Sequence, residues 1–130
     1  MILDTSAVVA VLRAESDAPK FAQAIEAAAI RRVSAVNYVE ASIVIDSGRD
    51  AVARRRFDDF FRVARIAIDT VTPSQAEIAR HAYRDFGKGR HKAGLNFGDC
   101  FAYALAKEMD EPLLFKGNDF RHTDIEPVKT

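Results

Sequence analysis

Met1-Ile2-Leu3-Asp4-Thr5-Ser6 opens the chain and runs straight into Ala7-Val8-Val9-Ala10-Val11-Leu12. An apolar run stops abruptly at a carboxylate and two hydroxyls, and a segment apolar nearly all round follows. That pattern predicts a short buried strand that delivers Asp4 to its carboxyl end, then a buried helix. In open α/β sheets ligands bind in the crevice outside the carboxyl ends of the strands, so an aspartate there is placed for chemistry. The plainer use of Asp4 is as a helix cap, its side-chain oxygen accepting from a backbone N–H of the first turn.

The remainder of the chain alternates between helix and strand signals. Glu15 to Pro19 predicts a turn and restart, with Phe21, Ala24, Ile25 and Ala28 at helical spacing behind it. Arg32 to Val36 is β-compatible and leads into a helix running to Asp46, which stops at Ser47-Gly48. Asn37 followed three residues later by Glu40 has the spacing of a capping box, which places Glu40 in that helix's first turn. Residues 49–65 predict an amphipathic helix with Ala53, Phe57, Phe60, Phe61 and Ala64 on one stripe. Its other side alternates arginine and aspartate, with Arg54 and Asp58, Arg55 and Asp59, and Asp58 and Arg62 four apart, the spacing of helix-surface ion pairs.

Ile66-Ala67-Ile68 predicts a third strand, and residues 75–86 a helix with Ile78, Ala79, Ala82, Tyr83 and Phe86 inward. The loop from Gly87 to Gly94 is glycine-rich and basic, which suits either a mobile solvated loop or a segment that touches a phosphate backbone. Leu95 to Lys107 predicts a largely buried helix with Asp99 at its start and Asn96 placed to cap it. Pro112 to Phe115 predicts a buried strand, followed by a loop, Lys116-Gly117-Asn118-Asp119-Phe120, and by a last edge strand over residues 125–128.

Composition bounds the answer without deciding it. The 130 residues suit one domain over 1–130, with 48% apolar residues for a core. Lys+Arg and Asp+Glu balance at 19 each, so any argument for nucleic acid must be local. The single cysteine, Cys100, forms no internal disulfide, no apolar run reaches membrane-spanning length, and Asp4 interrupts what would be the apolar core of a leader. A cytoplasmic protein away from membranes is expected.

Asp4, Glu40, Asp99 and Asp119 each flank an apolar run where a strand ends or a helix begins. Each has its own capping explanation, but in an alternating β/α chain the strand ends lie on one edge, so the four can converge. Carboxylates gathered there repel and hold protons unless a cation joins them. Oxygen ligands without a histidine or cysteine cluster point to Mg²⁺ or Mn²⁺ and away from zinc.

At these residues the chain resembles the PIN-domain ribonucleases, specifically the VapC-type toxins of bacterial toxin–antitoxin pairs. The carriers are Asp4-Thr5-Ser6-Ala7, Glu40, the run from Leu95 to Ala104 through Asn96-Phe97-Gly98-Asp99-Cys100, and Leu114 to Phe120. The resemblance implies a single PIN-like α/β domain with a central, mostly parallel sheet flanked by helices, metal-dependent endonuclease action on RNA, inhibition by a cognate antitoxin whose tail covers the acidic cleft, and a second copy of the chain as partner. It implies Asp4 and Asp99 as the main metal ligands, Glu40 as a third ligand or the group that orients water, and Asp119 as a peripheral ligand. Thr5, Ser6 and Asn118 become candidates for contacts to substrate or to a ligand carboxylate. Many members carry a further acid where this chain has Gly117, so one tight and one weak metal site are expected. The alternatives are a phosphatase with Asp4 as nucleophile, disfavoured because Ser6 stands where such sites carry a second acid, and a non-catalytic RNA- or protein-binding module on the same fold.

Overall fold

The computed structural model describes residues 1–130. Four strands, β1 (Ile2–Leu3), β2 (Arg31–Ser34), β3 (Ile66–Asp69) and β4 (Leu113–Leu114), form one parallel sheet in the order β3-β2-β1-β4. Six helices connect them: α1 (Thr5–Leu12), α2 (Ala18–Ala27), α3 (Ala35–Ser47), α4 (Ala51–Val63), α5 (Pro73–Phe86) and α6 (Phe97–Met109). The chain steps outward from β1 through β2 to β3, then returns to the other side of β1 for β4. The carboxyl ends of β1 and β4 therefore flank the point where strand order reverses, the usual ligand crevice of an open α/β sheet. Asp4 follows β1 directly.

Alternation along the two short central strands builds the layers. Leu3 and Leu114 face a core shared with Val8, Phe21, Ile45 and Phe57 from α1 to α4. Ile2 and Leu113 face the opposite core, shared with Ala79 of α5 and Leu95, Ala102 and Leu105 on and before α6. Successive side chains point to opposite faces of a strand, so two buried residues per strand are enough to hold helices on both sides.

Several sequence expectations are corrected here. α3 begins at Ala35, capped by Ser34, whose Oγ accepts from the Val36 N–H at 3.3 Å. Asn37 is thus inside the helix and fully buried, and Glu40 stands beyond the first turn, so the Asn37–Glu40 capping box is not formed. Ser34 wins because β2 ends on it and it is the first residue whose hydroxyl can turn back to a free helical N–H. On α4 the ion pair is Arg62 with Asp59 at 2.8 Å, one turn apart, while Arg54 donates to the Gly48 carbonyl at 2.8 Å instead of meeting Asp58. Tyr83 is exposed and not inward. Residues 125–128 make a single parallel bridge, Leu113 to Pro127, and no strand, since Pro127 has no N–H to extend a ladder. The basic loop after α5 is closed by a bridge between Gly87 and Leu95, with Gly89 and Gly94 at positive φ turning the chain between them.

Candidate active site

Asp4 sits where β1 can no longer pair: its N–H still donates to the Leu114 carbonyl at 2.9 Å, and its side chain then caps α1. Oδ2 accepts from the Ser6 N–H at 3.0 Å and from Ser6 Oγ at 2.6 Å. Ser6 Oγ in turn accepts from the Lys116 N–H at 2.9 Å, stitching the loop after β4 to the carboxylate after β1. The other oxygen, Oδ1, is buried and has no partner. Capping and site chemistry coexist in one side chain, because a carboxylate has two oxygens and the cap uses one. Burial pushes the Asp4 carboxyl up to about 6; the Ser6 hydrogen bonds oppose that and the Glu40 charge adds to it.

Asp99 reaches the same cleft from α6. The expected capping box is present: Asn96 Oδ1 accepts from the Asp99 N–H at 2.9 Å, and Asp99 Oδ2 accepts from the Asn96 N–H at 3.1 Å. Burial, then the nearby Asp4 charge, and more weakly those of Asp119 and Glu40, push Asp99 up to about 7 against the Asn96 hydrogen bond. The charges of the other three predicted acids thus all bear on Asp99, although Asp4, Glu40 and Asp99 come from separate helices or helix caps and Asp119 from an exposed 3₁₀ turn, Asp119–His122.

Glu40 is held by a hydroxyl that sequence spacing did not connect to it. Thr5 Oγ1 donates to its Oε1, and Asn37 Nδ2 lies 3.5 Å from the same oxygen. Its carboxylate rests on the bare Cα of Gly98, where a Cβ would overlap both oxygens. Asn37 and Gly98 are the site residues that sequence reasoning missed. A glycine in the first turn of an otherwise apolar helix is the signal that marks such a close approach. Asn118 is exposed, and only its backbone carbonyl is engaged, accepting from the Arg121 N–H at 3.0 Å.

The donor set is all oxygen. No three His, Cys, Asp or Glu side chains are gathered tightly enough to cage an ion. What stands ready is the unpartnered Asp4 Oδ1, with Asp99 beside it holding its proton more tightly than an ordinary carboxyl. That combination fits a hard divalent cation that keeps part of its water shell and takes one or two protein carboxylates, the habit of Mg²⁺. It offers no softer ligand for zinc, since Cys100 is buried within the α6 core with its thiol pushed up to about 11 by burial.

The family described as PIN domain matches residues 1–126. Ribonuclease VapC28 of Mycobacterium tuberculosis is 53% identical over 127 residues, covering 97% of this chain and 96% of that protein. Ribonuclease VapC30 of the same species is 49% identical over 128 residues, covering 98% of each. Among solved structures, Mycobacterium tuberculosis VapC20, described as a sarcin-ricin loop cleaving toxin, superposes with a TM-score of 0.79 at 13% identity over 99% of this chain and 98% of that one. A toxin–antitoxin complex from Klebsiella pneumoniae gives a TM-score of 0.69 at 15% identity over 95% and 92% of the two chains. At such identities the two structures speak for the shared fold.

Proposed function

The chain belongs to the PIN domain family, and on that premise we propose that it is a VapC-type endoribonuclease toxin that hydrolyses RNA phosphodiester bonds with a divalent cation and is silenced by an antitoxin. Identity near one half to ribonucleases along nearly the whole chain supports the activity. The single structural observation that carries the assignment of the site is the buried, half-satisfied carboxylate of Asp4 facing Asp99 at the sheet's switch point.

Asp4 and Asp99 would hold the cation, with Glu40 as a third ligand or water-orienting group and Asp119 at the rim. When bound, Mg²⁺ or Mn²⁺ supplies Lewis-acid charge to the scissile phosphate and to the attacking water. The chain's own residues prepare that step. Ser6 keeps Asp4 Oδ2 occupied and leaves the buried Oδ1 as the carboxylate oxygen without a partner. The Asn96 cap holds the Asp99 side chain against its own helix. Thr5 donates to Glu40 and leaves the second carboxylate oxygen of Glu40 without a hydroxyl partner, available to accept a proton from water. Lys88, Arg90 and Lys92, in the closed loop between α5 and α6, provide cations for the flanking phosphates.

A second copy of the chain is proposed to sit on the apolar surface beside the cleft. A groove of about 530 Å³ along α3, edged by Glu40, continues past Phe97 into one of about 540 Å³ between α5 and α6. Ile43 is 61% and Phe97 70% exposed on that surface. Contiguous exposed apolar area of this kind marks protein contact. The cytoplasm is the proposed place of action.

The test is incubation of total bacterial RNA with the purified, antitoxin-free protein in Mg²⁺ or Mn²⁺, beside EDTA and a folded Asp99→Asn variant. Discrete fragments that need the metal and vanish in the variant are expected. A folded, metal-loaded protein that leaves all RNA intact would instead identify a non-catalytic binding module.

A further inference from the structure

Asn37 is fully buried, and each of its side-chain hydrogen bonds ends at the cleft. Its Nδ2 donates to the Gly98 carbonyl at 3.0 Å and to Thr5 Oγ1 at 3.1 Å. Two acceptors use both hydrogens of the amide, and the 3.5 Å to Glu40 is too long for a third bond of ordinary strength. Thr5, having accepted from Asn37, passes its own hydrogen to Glu40 Oε1. The Gly98 carbonyl accepts only, so it also settles which end of the carboxamide faces the cleft. Gly98 is the residue before Asp99 and Thr5 the residue after Asp4. One side chain on α3 therefore ties the backbone just before Asp99 to the Thr5 hydroxyl just after Asp4 and, through Thr5, to the carboxylate of Glu40.

The opposite end of the same carboxamide, Oδ1, is buried without a partner. A leucine of similar size would fill the space and remove the unpaired Oδ1, at the loss of the two bonds that Nδ2 donates to Gly98 and Thr5, so the carboxamide is not what packing alone would select. The nearby apolar packing of α3 is already provided by Ala41 and Ile45.

Resting on the ribonuclease reading above, we infer that Asn37 is a positioning residue for the hydrolysis: it fixes the α1 and α6 N-termini relative to each other and aims Glu40 across Gly98 into the cleft. Hydrogen-bonded chains of this kind strengthen one another, and supporting partners behind a metal ligand govern both its aim and its affinity.

The experiment uses Asn37→Leu, with Asn37→Ala as the second variant should leucine prevent folding, each checked by near-ultraviolet circular dichroism and thermal melting. kcat is expected to fall about 100-fold, the cost of a misplaced catalytic group, while KM for RNA stays within about threefold because phosphate contacts lie elsewhere. Mn²⁺ affinity, read by electron paramagnetic resonance without RNA, should fall about tenfold. Asn37→Leu combined with Thr5→Val should lose no more activity than the worse single change, because the two act in series. A folded variant with native kcat and Mn²⁺ affinity overturns the inference. If the unaltered chain neither cleaves RNA nor binds Mn²⁺, the ribonuclease reading falls. A crystal structure of Asn37→Leu then decides this inference separately: Glu40 displaced from Gly98 upholds the positioning role, and an unmoved Glu40 ends it.

Discussion

Replacing Asp99 by asparagine in the metal-free protein should stabilise it at alkaline pH while abolishing activity. The Asp99 carboxyl is pushed from an ordinary 3.8 up to about 7, first by burial and next by the Asp4 charge. At about 1.4 kcal/mol per pH unit of displacement, that corresponds to at most about 4 kcal/mol. Asp99 is only partly buried, and solvent screening reduces this to about 2 kcal/mol. The sign follows from proton linkage. Above pH 4 the unfolded chain releases this proton while the folded one retains it, so the native protein loses stability as pH rises until the folded group also ionises near 7. Asparagine keeps an oxygen for the Asn96 N–H and carries no charge to bury. The stability of Asp99→Asn relative to the native chain should therefore grow by about 2 kcal/mol between pH 4 and pH 8, about 8 °C in melting temperature for a chain of this size. Urea unfolding in EDTA across that range measures it. Adding Mg²⁺ at pH 8 should raise the stability of the native chain and leave that of the variant nearly unchanged. A pH-independent difference, or one that favours the native aspartate as pH rises, refutes the placement of Asp99 in a desolvated, like-charged cleft.

Gly98→Ala sets a Cβ against both Glu40 oxygens; a folded protein with cleavage reduced about 100-fold is expected, as for other small displacements of a catalytic group. Because Asp4 is pushed up to about 6 and Asp99 up to about 7, cleavage at limiting Mg²⁺ should rise as pH passes from 6 to 8, and saturating Mg²⁺ should move that rise to lower pH by displacing the protons; pH–rate profiles at two metal concentrations check this. Tyr103→Phe removes the donor to Asp124 at 2.6 Å, a bond in which none of the four site acids takes part, and should cost about 1 kcal/mol of stability by denaturant melt with kcat unchanged. Ile43→Asp, on the exposed face of α3, should shift the protein toward monomer in light scattering without unfolding it.

The parts of this fold that were legible from residues alone are those set by local pattern. The apolar run ending at Asp4, the helical spacing behind it, the Asn96–Asp99 capping box and four of the five expected strand segments each depend on neighbours within about one turn of chain, and each is found as expected. The exceptions were also local contests. Ser34 and Asn37 are both competent caps, and which one serves depends on where β2 stops pairing with β3, a register decided by Ser34 opposite Asp69. Tyr83 carries an inward spacing yet is exposed.

By itself the sequence determined that this is an alternating α/β chain with four acids at its junctions, because hydrophobic periodicity and helix-end chemistry are short-range. Only the tertiary structure decided how those acids are held. The return of the chain to β4 beside β1 brings Lys116 onto Ser6, the packing of α6 against α3 sets Gly98 under Glu40, and the fully buried Asn37 binds α1, α3 and α6 together. These contacts join residues from 32 to 110 positions apart. A carboxylate's ionisation answers to everything within a few ångströms, whatever its distance along the chain.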